Sequence, residues 1–328
     1  MKIKNYVIGT IIVLSFYVQC TENLDNFYST SFLKDYYAVE QLLKKHGFKD
    51  IFFKSSDNLN LHGLFLQRPF ATCNVILCAG WLPGKKEGMA TFYDIVPTDC
   101  NILFFDARGH GNSEGSLLWK LWEYGINEYK DILGAITYIN DINELPIIII
   151  GMCSGAFNAT HALINLEQNK TLQESHVKGL VFDSGWGSVI EIARTAPPAG
   201  IEKRFHALIK CVYNDKKSLD QHYLIKWCSN IAQFGYLLSY YVCTRPLLRY
   251  YEPTTTLFDK IDQLSLPIFF IHSDDDTYAI KSDAVRLSQL APHATHWWIE
   301  KSFHAKHHLI HRRLYKEKIN TFINSILS

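Results

Sequence analysis

The chain has 328 residues, of which 48% are hydrophobic and 20% charged, and its formal net charge is +1. That composition is globular and excludes a disordered chain, and the balanced total charge argues for neither a nucleic-acid nor an acidic partner, leaving only a local basic patch open. The length suits one large single-sheet domain with an insertion, or two modest domains.

The N-terminus differs in kind from the rest of the chain. Lys2 and Lys4 precede an apolar run from Tyr6 to Val18, and Cys20 comes next. A basic n-region and a short apolar h-region form the pattern of an export signal. The run falls short of the ~20 residues that a spanning helix needs. Cys20 stands where bacterial lipoproteins carry their lipidated cysteine, with Gln19 in place of the usual small residue and Tyr17 where leucine is common. Residues 1–20 are therefore expected to be a signal peptide or N-terminal anchor, and the protein to be exported or held at a membrane through it. The eight cysteines are irregularly spaced and contain no C-x-x-C, so they point to neither a tight disulfide framework nor a paired-cysteine zinc site.

A helix is predicted over Phe27–Lys45, ended by Gly47. Phe48–Lys54 and Leu59–Gln67 read as two strands about the polar turn Ser55–Asn58. Four unbroken apolar runs follow at Asn74–Ala79, Asn101–Asp106, Ile147–Ile150 and Leu180–Phe182. Runs without polar alternation are the mark of strands buried on both faces of a parallel sheet. Helical patterns at Glu123–Asn140 and Ala156–Gln168 lie between them, which makes the architecture an α/β doubly wound sheet. From Gly185 to Phe258 the rhythm breaks into a stretch rich in Tyr, Leu, Ile and Trp, expected to be inserted helices forming a cap. Strands resume at Pro267–His272 and Thr295–Glu300, and Lys306–Leu327 closes the chain as an amphipathic helix.

The strongest chemical signal is Ile147–Ile150 running directly into Gly151-Met152-Cys153-Ser154-Gly155 and then a helix. A G-x-C-x-G turn between strand and helix holds a nucleophile in strained backbone, and its glycines let strand and helix approach closely. Cysteine suits this place, because a helix N-terminus and a neighbouring histidine lower a thiol pKa below its ordinary value near 8.5. The bland alternative is a buried cysteine before a helix.

Asp106-Ala-Arg108-Gly109-His110-Gly111-Asn112-Ser113-Glu114-Gly115 resembles the D-x-R-G-H-G-x-S-x-G segment of α/β-hydrolases, most nearly the monoacylglycerol-lipase and serine-aminopeptidase branch. Gly179–Ser184 is similar to the strand entering that branch's cap, and the resemblance runs from about Ile51 to Leu327. The cysteine centre itself looks like that of dienelactone hydrolases. The resemblance implies that Arg108 and His110 belong to a loop scaffold. It also implies an acid and a histidine after the nucleophile in chain order. The family pattern H-G-x-x-D falls on His272–Asp276 and places the acid at Asp276, with Ser273 replacing the glycine. The base falls on His304, without the glycine that usually precedes it. His307, His308 and His311 could join His304 in a metal cluster, but no H-E-x-x-H accompanies them and they read as polar positions on the last helix. Oxyanion donors are expected from the Ser154 amide and from Trp81, in the loop after the Asn74–Ala79 strand.

The expectation is thus an α/β-hydrolase fold with a helical cap inserted before the last two strands. Residues 21–184 and 259–328 form the core, and 185–258 the cap. Its function would be hydrolysis of an ester or thioester by a Cys153–His304–Asp276 triad, needing no cofactor and no metal. The partner would be a small acyl substrate, with Trp186, Phe205, Trp227, Phe234 and Tyr236 of the cap arguing for apolar character or merely packing the cap. Acyl transfer by the same triad, or a hydrolase scaffold kept as an inactive surface protein, are the alternatives.

Overall fold

The computed structural model describes residues 39–80, 91–115, 125–198, 219–245 and 256–328. The chain divides into two units, Met1–Gly47 and Phe48–Ser328. In the first, residues 39–45 are helical and close at Gly47, whose φ of 92° is the left-handed conformation a helix-ending glycine supplies.

The second unit is built on an eight-stranded sheet. Its strands are β1 (Lys49–Lys54), β2 (Asn60–Leu66), β3 (Cys73–Cys78), β4 (Cys100–Phe105), β5 (Ile147–Met152), β6 (Val177–Asp183), β7 (Ile268–Ser273) and β8 (Ala294–Ile299). They lie in the order β1-β2-β4-β3-β5-β6-β7-β8. β1 pairs with β2, and β2 with β4, antiparallel; every pairing from β4 to β8 is parallel. The apolar runs read from the sequence are the central strands, and every residue of β3, β4, β5 and β7 is buried. Ile147 to Ile150 are each fully buried, a burial worth roughly 1.5–3 kcal/mol per side chain before chain entropy is charged against it. This isoleucine run therefore anchors the strand that carries the G-x-C-x-G turn at its carboxyl end.

Helices α1 (Tyr129–Ile142), α2 (Ser154–Gln168), α3 (Leu219–Ser239), α4 (Lys281–Leu290), α5 (His307–Ile310) and α6 (Arg312–Leu327) accompany the sheet. Two expected helices differ. α1 begins at Tyr129 rather than near Glu123, because residues 125–128 form turns opened by Gly125 at φ 69°. The single closing helix expected over Lys306–Leu327 is two, broken at His311, whose φ −113° and ψ 39° are not helical.

Between β6 and β7 the chain leaves the sheet. Residues 189–198 are helical, and α3 runs on into a π-helical turn at Tyr240–Thr244. Tyr236 and Tyr240 donate their hydroxyls to the Ala193 and Ile190 carbonyls at 2.5 and 2.8 Å, pinning these two segments together. A disulfide joins Cys73 to Cys100, the first residues of β3 and β4, which are also partners in the strand register. Among the described residues no helix is long and apolar enough to cross a membrane, and the Lys2–Cys20 segment lies outside them.

Candidate active site

Cys153 occupies the sharp turn between β5 and α2 at φ 59° and ψ −122°, a conformation that non-glycine residues rarely hold. Its N–H donates to the Asp183 carbonyl at the end of β6, 2.8 Å away. The glycines around it answer to contact. A Cβ on Gly155 would run into the carbonyl oxygen of Cys78, and one on Gly151 would lie 2.6 Å from the Cα of Ala156. Only glycine lets β5 turn this tightly into α2. Gly80 is a third such position, which the motif does not reveal. A Cβ there would sit 2.8 Å from the Cβ of Cys153 and 3.3 Å from its Sγ. The chain after β3 is thus laid directly against the thiol. Trp81, the expected second oxyanion donor, is the next residue and lies outside the described ones. Ser154 is the first residue of α2 and is buried.

His304 and Asp276 converge on this turn from the carboxyl side of the sheet. His304 hydrogen-bonds to Cys153, and its Nδ1 lies 2.7 Å from Oδ2 of Asp276. The Asp276 side chain is fully buried; its Oδ1 accepts the N–H groups of Tyr278 and Ala279 at 2.9 and 3.0 Å. Burial alone would raise its pKa, but the His304 hydrogen bond, reinforced by the charges of His304 and His272 and by the Ala279 N–H, holds it below the ordinary carboxylate value. Burial likewise opposes the imidazolium of His304, yet the Cys153 charge and the bond to Asp276 overcome it and raise its pKa to about 10. A thiol, an imidazole and a carboxylate therefore stand in one hydrogen-bonded line, the imidazole disposed to hold a proton beside a thiolate.

The neighbouring aspartates separate cleanly from Asp276. Asp274 is half exposed and pairs with Lys281 at 2.5 Å. Asp275 donates its N–H to the Ser273 hydroxyl at 3.2 Å, as ordinary turn chemistry. The C-terminal histidines also separate. His307 lies 2.9 Å from Oγ of Ser184 and 2.7 Å from Oγ of Ser302, and His311 reaches the Lys301 carbonyl at 2.9 Å. His308 is buried against Phe92, with ring centroids 5.1 Å apart, and burial pushes its pKa down to about 4. His307 and His308 are both buried, which corrects their assignment as polar helix positions: the break at His311 turns the short α5 inward.

Arg108 and His110 are scaffold. The Arg108 guanidinium binds Asp131 and Asp57, both at 2.7 Å, and His110 Nδ1 lies 3.1 Å from the Arg108 carbonyl. Of the aromatic residues named for the cap, Trp186 is buried, Tyr236 is half-buried, and Trp227 and Phe234 are 61% and 68% exposed. Phe205 is outside the described residues.

Residues 75–313 match the sequence model of the family described as serine aminopeptidase, S33. No curated protein is a significant match. Among solved structures, an esterase of Pyrococcus furiosus is similar at 17% identity over 86% of this chain and 91% of its own, with a TM-score of 0.58. A meta-cleavage product hydrolase of Pseudomonas fluorescens is 12% identical over 84% and 97% of the two chains, with a TM-score of 0.55. An esterase of Exiguobacterium antarcticum is 16% identical over 84% and 100%, with a TM-score of 0.53. At these identities the structural likenesses speak to the fold, which is that of the α/β-hydrolases.

Proposed function

Because the chain belongs to the serine aminopeptidase S33 family of α/β-hydrolases, we propose that it hydrolyses an ester or thioester through a covalent acyl-cysteine at Cys153. The observation that carries this is the continuous Cys153–His304–Asp276 hydrogen-bonded line at the carboxyl ends of β5, β7 and β8. Cysteine stands where the family's name calls for serine.

In this reading the Cys153 thiolate attacks the substrate carbonyl carbon, and the carbonyl π electrons move to oxygen. The oxyanion is held by the Ser154 N–H and by the Trp81 N–H; the second assignment is supported by Gly80, which brings the preceding residue against the thiol. Collapse expels the alcohol or thiol, which takes its proton from the His304 imidazolium. Neutral His304 then removes a proton from water as that water attacks the thioester. The second collapse releases the carboxylic acid and restores thiolate and imidazolium. Asp276, fixed by two backbone N–H groups, holds the Nδ1–H tautomer of His304.

The substrate is a small acyl compound, and its apolar character is part of the proposal. So is localisation outside the cytoplasm or at a membrane, which the basic and apolar pattern before Cys20 supports. The Cys73–Cys100 disulfide supports that placement, since such bonds persist in oxidising compartments. The test of the chemistry is trapping. Full-length protein mixed briefly with p-nitrophenyl butyrate and quenched in acid should carry one hydroxylamine-labile butyryl group on the Cys153 peptide. A butyryl group elsewhere, or turnover that persists in Cys153→Ala, would remove Cys153 from the chemistry.

A further inference from the structure

Two residues that the triad does not include touch both of its moving ends. Asp183 and Ser184 close β6. The Asp183 carbonyl accepts the N–H of Cys153 at 2.8 Å. The Ser184 hydroxyl oxygen accepts the N–H of Ala305, the residue after His304, at 3.0 Å. The nucleophile turn and the base loop, 151 residues apart by number (304 minus 153), are thereby tied to adjacent residues of one strand end.

The hydrogen-bond accounting closes around that hydroxyl. Ser184 Oγ has one proton to donate and two lone pairs. It donates to Oδ1 of Asp183 at 2.7 Å and accepts from Ala305, so the 2.9 Å contact with His307 Nε2 must be an N–H donated by the imidazole. His307 Nδ1 is then the acceptor for the Ser302 hydroxyl at 2.7 Å when the ring is neutral. Tyr315 donates its hydroxyl to the other Asp183 oxygen at 2.8 Å, and Ser273 donates to the Ser302 carbonyl at 2.9 Å. Asp183, Ser184, Ser302, His307 and Tyr315 are all buried. Ser184 and Ala305 both sit at positive φ, 54° and 51°, so the bond between them joins two left-handed residues that the surroundings must hold in place.

We propose that Asp183-Ser184 is a positioning bracket, locked by His307, that sets the distance between the Cys153 thiol and the His304 imidazole. This rests on the triad assignment and deepens it. The loop carrying His304 has no glycine before the histidine, and the bracket supplies the restraint that lets Ala305 adopt its left-handed turn instead. The thiolate–imidazolium pair depends steeply on separation, so a loosened loop shows first in the protonation of the pair and in kcat, not in substrate binding.

The test uses full-length protein and site-resolved iodoacetamide labelling of Cys153 across pH 5 to 10. It is run on wild type, Ser184→Ala, Ser184→Gly, His307→Leu and His307→Gln. Glycine accepts the positive φ, so Ser184→Gly separates loss of the hydroxyl from backbone strain. Asn101→Ala is the structural control: Asn101 is buried and bonded to Asn74 and Arg68 at the amino end of β4. We expect both Ser184 variants and His307→Leu to raise the labelling midpoint by about one pH unit and to lower kcat about tenfold at unchanged KM. His307→Gln, which keeps an N–H donor, should recover most of the wild-type midpoint. Asn101→Ala should lower stability and leave the midpoint in place. A depressed wild-type midpoint that stays unmoved in folded Ser184 or His307→Leu variants overturns the bracket alone, as does an equal shift in Asn101→Ala. If the Ser184 variants fail to fold, the His307 pair decides in the same way. An ordinary thiol midpoint in the wild type overturns the triad beneath it.

Discussion

Replacing Asp276 by Asn removes one charge and almost no volume, so its consequence can be worked from contacts. Oδ1 of Asp276 accepts two backbone N–H groups at 2.9 and 3.0 Å, and only an oxygen can occupy that place. The new amide nitrogen is therefore forced toward His304, where Oδ2 now lies 2.7 Å from Nδ1. A donor facing a donor drives the imidazole to its other tautomer, which turns a proton toward Cys153. The bond lost is one between charged groups, the carboxylate buried and the imidazole 15% exposed, worth about 1.5–3 kcal/mol to the imidazolium. That is about one to two pKa units off a histidine now raised to about 10, and about 10- to 150-fold in the chemical step. The sign follows from the imidazolium acting as acid toward the leaving group: activity falls as pH rises through the His304 pKa. In pH-stat hydrolysis of ethyl butyrate, whose alkoxide must be protonated to leave, the wild type should hold its rate to about pH 10. The variant should lose it from about pH 8–9 upward and be slower throughout. A variant with the wild-type alkaline limb and rate would refute the proposed coupling of Asp276 to His304.

Gly80→Ala places a methyl group 2.8 Å from the Cys153 Cβ and 3.3 Å from Sγ. Such overpacking costs about 1–3 kcal/mol, and because the thiol must move, kcat should fall at least about tenfold while the fold survives by circular dichroism. Unchanged kcat would mean that the strand-end contact does not restrain the thiol. Breaking the Cys73–Cys100 bond by Cys73→Ala with Cys100→Ala frees a loop of sequence separation 27. The chain-entropy relation gives about 3.5 kcal/mol of lost stability, read as a lower urea midpoint at constant slope, with ester hydrolysis retained under native conditions.

The sheet was legible because its central strands are buried on both faces and so write themselves as unbroken apolar runs, as in Ile147–Ile150. Their order was not, since nothing local records that β4 lies between β2 and β3. The G-x-C-x-G turn was legible through steric necessity, its glycines facing the backbone of Cys78 and Ala156. Among three adjacent aspartates only the resemblance to H-G-x-x-D pointed to Asp276; burial and partners are what separate it physically from Asp274. The Asp183–Ser184–His307 network escaped because its bonds span more than a hundred residues and because α5 turns histidines inward where residue type alone predicts an outward face. Phe303 in place of a glycine gave no hint that Ser184 would hold the turn at Ala305.

The most direct measurement is the rate of Cys153 alkylation by iodoacetamide from pH 5 to 10 in full-length wild type and His304→Ala. A thiolate paired with the His304 imidazolium predicts that Cys153 labels faster than the buried Cys78, with a midpoint well below the ordinary thiol value of about 8.5 that returns toward it in the variant. Slow labelling, or a midpoint indifferent to His304, would contradict a cysteine nucleophile and leave a hydrolase fold without the chemistry proposed for it.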